Sequence, residues 1–514
     1  MTALDVLERL ERQAADRAGA LALQETTGRR LSFAQLQARI ETLASALLDE
    51  GMRSGDRVLF TVPPGIESIV SILAIVRAGG VVVAANPLMG PEVFASRVRL
   101  IEPGWVIATS LVYLLGRLSR LPDLMAVPAR HFIRVGVPLP FGRPMMAMRA
   151  LSRGRRSVRP VVSREPDDPV LVVFTSGTTA APRAVVQTNG SIGAAIDMMS
   201  REERFEPGDV LYSDQLHLVL PALLAGIPAV IPRRRFHPAR LLADLNRYRA
   251  THTFGFPSEY QQLAEHAATR GVSLPAGLRT ILLGSAPVPR TFLERFQALL
   301  PARTRVSSVY GMTEIVPVSR VDLEEKLAFH GEGDLVGRPA HGVRVRVAGD
   351  GELLVSGPNL CRGYWGQPPI TEVATGDLGV LDGDGRIVLF GRKKEMIIRG
   401  QHNIYPQVLE STIGGISGVR RCCLVGLYQD ARADEEVILC VEGEPGTDAV
   451  SLRTALEYGL RNGPHRIDPA ALPDRIVIMP IPLAPRSKKV DRSAVRVALQ
   501  SRSRSGGAQG GGSW

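Results

Sequence analysis

The sequence predicts an α/β protein with a large, multilobed N-terminal domain of layered parallel sheets and a β subdomain, followed by a small α+β C-terminal domain. Three observations carry this reading. The chain has 514 residues, and domains span roughly 100 to 200 residues, so it exceeds one domain of ordinary size. Helix-period stretches alternate with short apolar runs in its first half, the rhythm of parallel strands joined by crossover helices. After Val343 the text turns to short strands around Gly-Asp and Asp-Gly pairs, which are hairpin signals.

The elements follow in order. From Leu31, LSFAQLQARIETLASALLDEGMRSGDRVLFTVPP sets Leu36, Ile40, Leu43, Ala44, Leu47 and Leu48 at helical spacing, and Val58, Leu59 and Phe60 follow a Gly-Asp turn as a buried strand. The alternation returns at Ile69 to Val76 before GGVVVAANP, and at Leu241 to Tyr248 before THTFGFP. VRVRVAGDGELLVSG and LGVLDGDGRIVLFG then supply the hairpins of the β subdomain. Past Arg392 come strand-like CCLVGL and VILCVEG, a helical Leu452 to Leu460 and a basic LAPRSKKVDR. The expected domains are therefore residues 1–391, 392–500, and a Gly- and Ser-rich tail from 501 to 514 that buries nothing and is given no function.

Composition narrows the function. Hydrophobic residues at 45% and charged residues at 22% exclude a mostly disordered chain. The net charge of +11 favours anionic ligands. Its basic runs, Arg149 to Arg164 and Arg233 to Arg235, lack the interleaved aromatics that stack on bases, so nucleic acid is not an expected partner. The first run, beside Met145, Met146 and Met148, reads as a solvated loop, with at most peripheral membrane contact as the alternative. Cys361, Cys422, Cys423 and Cys440 form no CxxC pair and read as reduced thiols. The acidic N-terminus and the Pro-broken apolar stretch Leu216 to Pro232 suit neither export nor a membrane span, which points to the cytoplasm.

Chemistry concentrates in LVVFTSGTTAAPRAVVQTNG. An apolar strand, Leu171 to Phe174, runs into Thr175, Ser176, Gly177, Thr178 and Thr179, and Arg183 follows. Turn amides, small hydroxyls and one cation can converge on a phosphate there, although GxxxxGK[ST] is absent. Downstream, VSSVYGMTE offers Tyr310 as a flat face for a purine, Thr313 as a hydroxyl for phosphate and Glu314 as a hard oxygen ligand for Mg²⁺. ATGDLG then places Asp377 to accept from a ribose diol, GRKKEMIIRGQHNIYP brings Arg392, and KVDR brings Lys489 and Arg492. Singly, each is an ordinary turn or surface residue; five pieces in one order are not readily a coincidence.

With these motifs the chain resembles, from LSFAQL to KVDR, the adenylate-forming superfamily of acyl-CoA synthetases, luciferases and peptide-synthetase adenylation domains. The resemblance implies an ATP- and Mg²⁺-dependent acid ligase in which a substrate carboxylate attacks the α-phosphate, giving an acyl-adenylate and pyrophosphate. It also implies a C-terminal domain that rotates between two half-reactions, with Lys394 at the hinge. Thr175 to Thr179 and Arg183 would hold phosphates, and Gly284, Ser285, Ala286 and Pro287 would flank adenine. Tyr310, with Gly311 and Met312 beside it, would stack on that base. Thr313 would contact the α-phosphate, Glu314 would hold the metal, Asp377 and Arg392 would bind ribose, and Lys489 would be the catalytic lysine. CoA or a carrier-protein phosphopantetheine would be the acceptor, so a carboxylic acid and an acyl carrier protein are the expected partners.

Departures from the pattern bear on each half-reaction. The usual TSGTTGxPKGV has Ala180, Arg183 and Ala184 here, which removes two flexible backbone positions and exchanges an ammonium for a guanidinium. PRSKKVDR has adjacent lysines, leaving Lys488 as a substitute for Lys489, and RGGxN becomes RGQHN with Gln401 at the pantetheine tunnel. ANPLMGPE, DQLHLVLPALLAGIPAVIP and GSAPVPRTFLERFQALLP are similar to the olefin-pathway β-lactone synthetases, which close a β-hydroxyacyl-adenylate on its own hydroxyl. Three functions stay open: thiol ligase, β-lactone synthetase, and a nucleotide- or acyl-binding relative without catalysis. His217 is either an acyl-pocket histidine or a core one.

Overall fold

The computed structural model describes residues 2–87, 91–118, 121–137, 146–148, 162–174, 183–232, 236–288, 290–399, 402–429, 434–484 and 489–505, with side chains to residue 501. Strands β1 (Arg57–Thr61), β2 (Val81–Ala84), β3 (Trp105–Thr109) and β4 (Pro169–Phe174) run parallel, and β5 (Ala184–Thr188) returns antiparallel beside β4. Their near-continuous apolar text follows from burial on both faces, which helices cover.

A second, larger sheet holds β6 (His252–Gly255), β7 (Thr280–Gly284) and β8 (Arg305–Met312) in parallel, after which β9 (Ile315–Asp322) folds back antiparallel. Between the two sheets lies a helical layer. Leu36, Leu43, Ile69, Leu73 and Val219 pack there against Val58 and Ile107 of the first sheet and Leu23, Ile231 and Leu282 of the second. The helix Phe33–Asp49, expected from the Leu36 to Leu48 spacing, starts at a capping box formed by Ser32 and Gln35. Further apolar clusters cover the outer faces, built around Phe94, Val98 and Tyr113 on one side and Tyr260, Leu263 and Phe296 on the other.

The chain then crosses back. β10 (Gly363–Tyr364) joins the first sheet beside β5, and β11 (Val373–Leu381) with β12 (Ile387–Arg392) extends the second. The hairpins expected after Val343 form, and they continue the large sheet. The basic run is described only at its end. There Arg164 donates to the carbonyls of Pro169 at 2.7 Å and Gly80 at 2.6 Å, a strut between β4 and the turn before β2. Met148 is buried in the central core. Neither residue is in the solvated loop or membrane face read from the sequence; the other members of that run up to 161, and Arg233 to Arg235, lie outside the described residues.

From Ile397 the chain makes its own sheets and cores. β13 (Ile397–Arg399) and β14 (His402–Ile404) form a hairpin; β15 (Val419–Gln429), β16 (Asp434–Gly443) and β17 (Arg475–Ile478) form a three-stranded sheet. Arg492 ties this region together. Its guanidinium binds Glu410 at 2.6 and 2.7 Å, Glu395 at 3.0 Å and the Leu424 carbonyl at 2.9 Å. Burial works against the charge, and Glu410 overcomes it, raising the guanidinium above its ordinary range. Replacing Arg492 with Ala leaves a carboxylate without its partner, so Arg492→Ala is expected to lose about 3–5 kcal/mol, read by urea unfolding of the C-terminal sheet.

Candidate functional site

Sheet topology decides where the site forms. Met312 faces Ile315 across β8 and β9, so Thr313 and Glu314 are the two residues of a tight hairpin turn. Two groups of side chains assemble around this hairpin.

The first lies along its stem. The Tyr310 hydroxyl donates to Asp377 Oδ2 at 2.7 Å, and Arg392 Nε lies 2.8 Å from Asp377 Oδ1. Cross-strand register brings this about, since Asp377 on β11 pairs directly with Arg392 on β12. Arg392 also donates to the Thr375 carbonyl at 2.8 Å. Gly376, at φ +70°, allows the backbone to bend there, and its N–H donates to Glu352. Burial pushes the Asp377 carboxyl above the usual range; Arg392, Tyr310 and Lys489 pull it back down. Burial also raises the Tyr310 phenol, so it stays a neutral donor.

Lys489 comes within electrostatic reach of this group from the C-terminal region. It is exposed as a residue, yet its ammonium is held below the ordinary lysine range, first by desolvation and then by Arg392, with Asp377 and Glu395 opposing. Its loop is pinned on both sides: Ala484 N–H donates to the Lys489 carbonyl at 2.7 Å, and Asp491 N–H to Pro482 at 2.9 Å. Sequence residues more than a hundred apart thus meet in one place. Next to them the exposed Lys394 follows Lys393, whose ammonium binds Asp350 at 2.6 Å and Glu352 at 2.9 Å.

The second group holds the turn. Gln187 on β5 donates to the Thr313 carbonyl at 2.7 Å and accepts from Ser191 at 2.7 Å. Cys361 N–H donates to the Glu314 carbonyl at 2.8 Å, and the Tyr364 hydroxyl to Glu314 Oε1 at 2.9 Å. The Arg183 guanidinium sits 5.5 Å over the Tyr364 ring. Arg183 and Tyr364 also line a cleft of about 480 Å³ with Arg99, Trp365 and Gln367. Burial pushes the Cys361 thiol up to about 11, so no thiolate nucleophile lies beside the turn.

Glu314 is buried, and its Oε2 has no protein partner among the described residues. Those residues contain no cluster of three metal-ligating side chains. A single hard carboxylate suits Mg²⁺, which keeps waters and takes further oxygens from substrate phosphates.

At the end of β7, Gly284 packs so closely that a Cβ would lie 3.1 Å from the Phe254 ring, and Ser285 takes a left-handed φ of +66°. Ser285 and Pro287 are exposed and Ala286 is partly so, the surface of a shallow wall. His217 is half-buried, edge-on to Phe254 at 6.0 Å, so the histidine adjoins that wall.

Thr175 to Thr179, Gln401 and Lys488 lie outside the described residues. Sequence reasoning missed Tyr364, Gln187, Thr375 and Glu352. One signal was present for Gln187, an amide in the otherwise apolar start of a fully buried strand. For His217, desolvation holds the imidazole down to about 4; its ring resonances are expected to stay flat from pH 8 to 5 in an NMR titration, and a midpoint near 6.5 would contradict its burial.

The description AMP-binding enzyme matches residues 10–365 of this chain. Feruloyl-CoA synthase from Amycolatopsis is 31% identical over 430 residues, covering 78% of this chain and 81% of its own. Olefin beta-lactone synthetase from Xanthomonas campestris is 27% identical over 482 residues, covering 84% of each. Among solved structures, amide bond synthetase McbA from Marinactinospora thermotolerans superposes with a TM-score of 0.81 over 96% of this chain and 99% of its own, at 23% identity, which bears on the fold alone. The chain belongs to the AMP-binding enzyme family, within the adenylate-forming superfamily of ATP-dependent acid ligases.

Proposed function

We propose that this protein activates a carboxylic acid, of fatty or other acyl type, as its acyl-adenylate and transfers the acyl group to CoA or a carrier-protein thiol. The observation that carries this is the meeting of Lys489 with the Asp377–Arg392 pair beside the Tyr310 to Glu314 hairpin. Tyr310 and the Gly284 to Pro287 wall would bound adenine. Asp377 keeps lone pairs for ribose hydroxyls although both oxygens already have partners.

In the first half-reaction a carboxylate oxygen bonds to the α-phosphorus, and the α–β bridging bond breaks with its electron pair leaving on pyrophosphate. No proton need move. Lys489, Arg392 and Arg183 would stabilise the charge on the phosphoryl oxygens in a preorganised setting, and Thr313 would hold the α-phosphate. Mg²⁺, when bound at Glu314, supplies charge neutralisation for the phosphates. For the second half-reaction the unit that follows Lys394 would rotate at that residue, and the body holding Asp377 and Arg392 would keep the nucleotide. A cytoplasmic setting suits the four free cysteines.

The similarity to olefin beta-lactone synthetase favours a second reading, in which a β-hydroxyl of the substrate displaces AMP. Pyrophosphate release from MgATP over fatty, aryl and β-hydroxy acids separates the two. Release that rises with CoA supports the ligase; repeated turnover without thiol, confined to β-hydroxy acids, supports lactone closure; binding without release refutes both.

Lys489→Ala is expected to lower ATP–pyrophosphate exchange by roughly 10²–10³-fold, and retained exchange transfers the role to Lys488. Glu314→Gln is expected to move Mg²⁺ activation to much higher concentration, because an amide is a poorer ligand for a hard cation. Gln401→Gly is expected to speed thioester formation without changing adenylation, and an unchanged rate clears that side chain from the thiol's path.

A further inference from the structure

Glu314 is a flexible side chain on a two-residue turn, and a metal ligand in that position needs something to fix it. The strand β10 supplies this. Its backbone is held against β5, with Tyr364 paired to Val185, Trp365 N–H donating to the Ala184 carbonyl at 2.8 Å and Gln367 N–H to the Tyr364 carbonyl at 3.0 Å. Gly363, at φ +131°, brings the chain into this pairing past the Pro368 carbonyl, which a Cβ would approach to 3.2 Å. From this fixed base the Tyr364 hydroxyl reaches Glu314 Oε1 at 2.9 Å, and Cys361 N–H holds the Glu314 carbonyl at 2.8 Å.

We propose that Tyr364 is a positioning residue for the metal site: by occupying Glu314 Oε1 it leaves Oε2 as the oxygen presented to Mg²⁺, and the Arg183 guanidinium rests over its ring. The inference rests on the reading of Glu314 as the Mg²⁺ ligand. The phenol is suited to the role, because its hydroxyl sits at the end of a rigid ring on a strand held by backbone pairing. A hydrogen bond to a buried carboxylate also stops that oxygen from seeking water or rotating away from the metal.

The test uses the full chain with Mn²⁺ as probe and α,β-methylene ATP in place of ATP. Tyr364→Phe removes the hydroxyl and keeps the ring under Arg183; Tyr364→Leu removes both. Electron paramagnetic resonance gives Mn²⁺ affinity at saturating nucleotide analogue, exchange gives the Mg²⁺ activation constant, and thermal unfolding reports folding. The Phe variant is expected to raise both metal constants together, roughly tenfold for one charge-assisted hydrogen bond, with analogue affinity near wild type and Leu no better than Phe. Metal constants equal to wild type in a folded Phe variant overturn the inference, as does a fall in turnover with the metal constants unmoved. Glu314→Gln, run alongside, separates the parent reading: if it leaves Mn²⁺ binding intact, Glu314 is not the ligand, whereas dependence on Glu314 with indifference to Tyr364 defeats the present inference alone.

Discussion

The structure depends on one constraint, the holding of a two-residue turn from one sheet by strands of another. Thr313 and Glu314 belong by chain to β8 and β9, yet their backbone carbonyls are taken by Gln187 of β5 and by Cys361 just before β10. A tight turn has few internal hydrogen bonds and would otherwise fray into solvent. Held in this way, it sets Glu314 against the Tyr364 hydroxyl, whose ring lies under Arg183. The helical layer between the sheets fixes their separation, since close-packed side chains such as Leu36, Ile69 and Val219 cannot be compressed or slid without loss.

Electrostatics follow from that geometry. Two buried carboxylates, Asp377 and Glu314, stand at the two ends of one hairpin. Burial alone would favour the neutral form of Asp377. Arg392 and the Tyr310 hydroxyl counter this at Asp377, and Tyr364 gives Glu314 a donor of its own. The cations Arg392 and Lys489 lie by Asp377, and Arg183 lies over the Tyr364 ring. Such an arrangement asks little covalent work of the protein and puts fixed charge where charge develops.

The C-terminal region is stiff inside and lightly attached. Arg492 binds its helix, its sheet and Glu395 into one body, and among the described residues an ion pair, Arg295 to Glu444 at 3.9 Å, and the tilted rings of Phe390 and Tyr405 at 5.8 Å join it to the large body. At the connection Lys393 is clipped to Asp350 and Glu352, while Lys394 next to it is exposed.

The sequence by itself determined the elements and the chemical pieces. Helical spacing from Leu36 to Leu48, the apolar run Leu171 to Phe174 and the Gly-Asp and Asp-Gly pairs past Val343 located a helix, a strand and the hairpins, because local sterics and burial act on neighbours in the chain. The residue types of VYGMTE, TGD and KVDR identified a nucleotide site because phosphate, ribose and Mg²⁺ each need particular donors and acceptors. Only the tertiary structure decided how those pieces are held. Tyr364 is an unremarkable aromatic in its own segment and Gln187 an odd polar residue in a buried strand. Both acquire their roles across sheets, from partners 50 and 126 positions away. Contacts at such separation leave no periodicity to read, since they arise from packing whole layers together and not from the chain's local preferences.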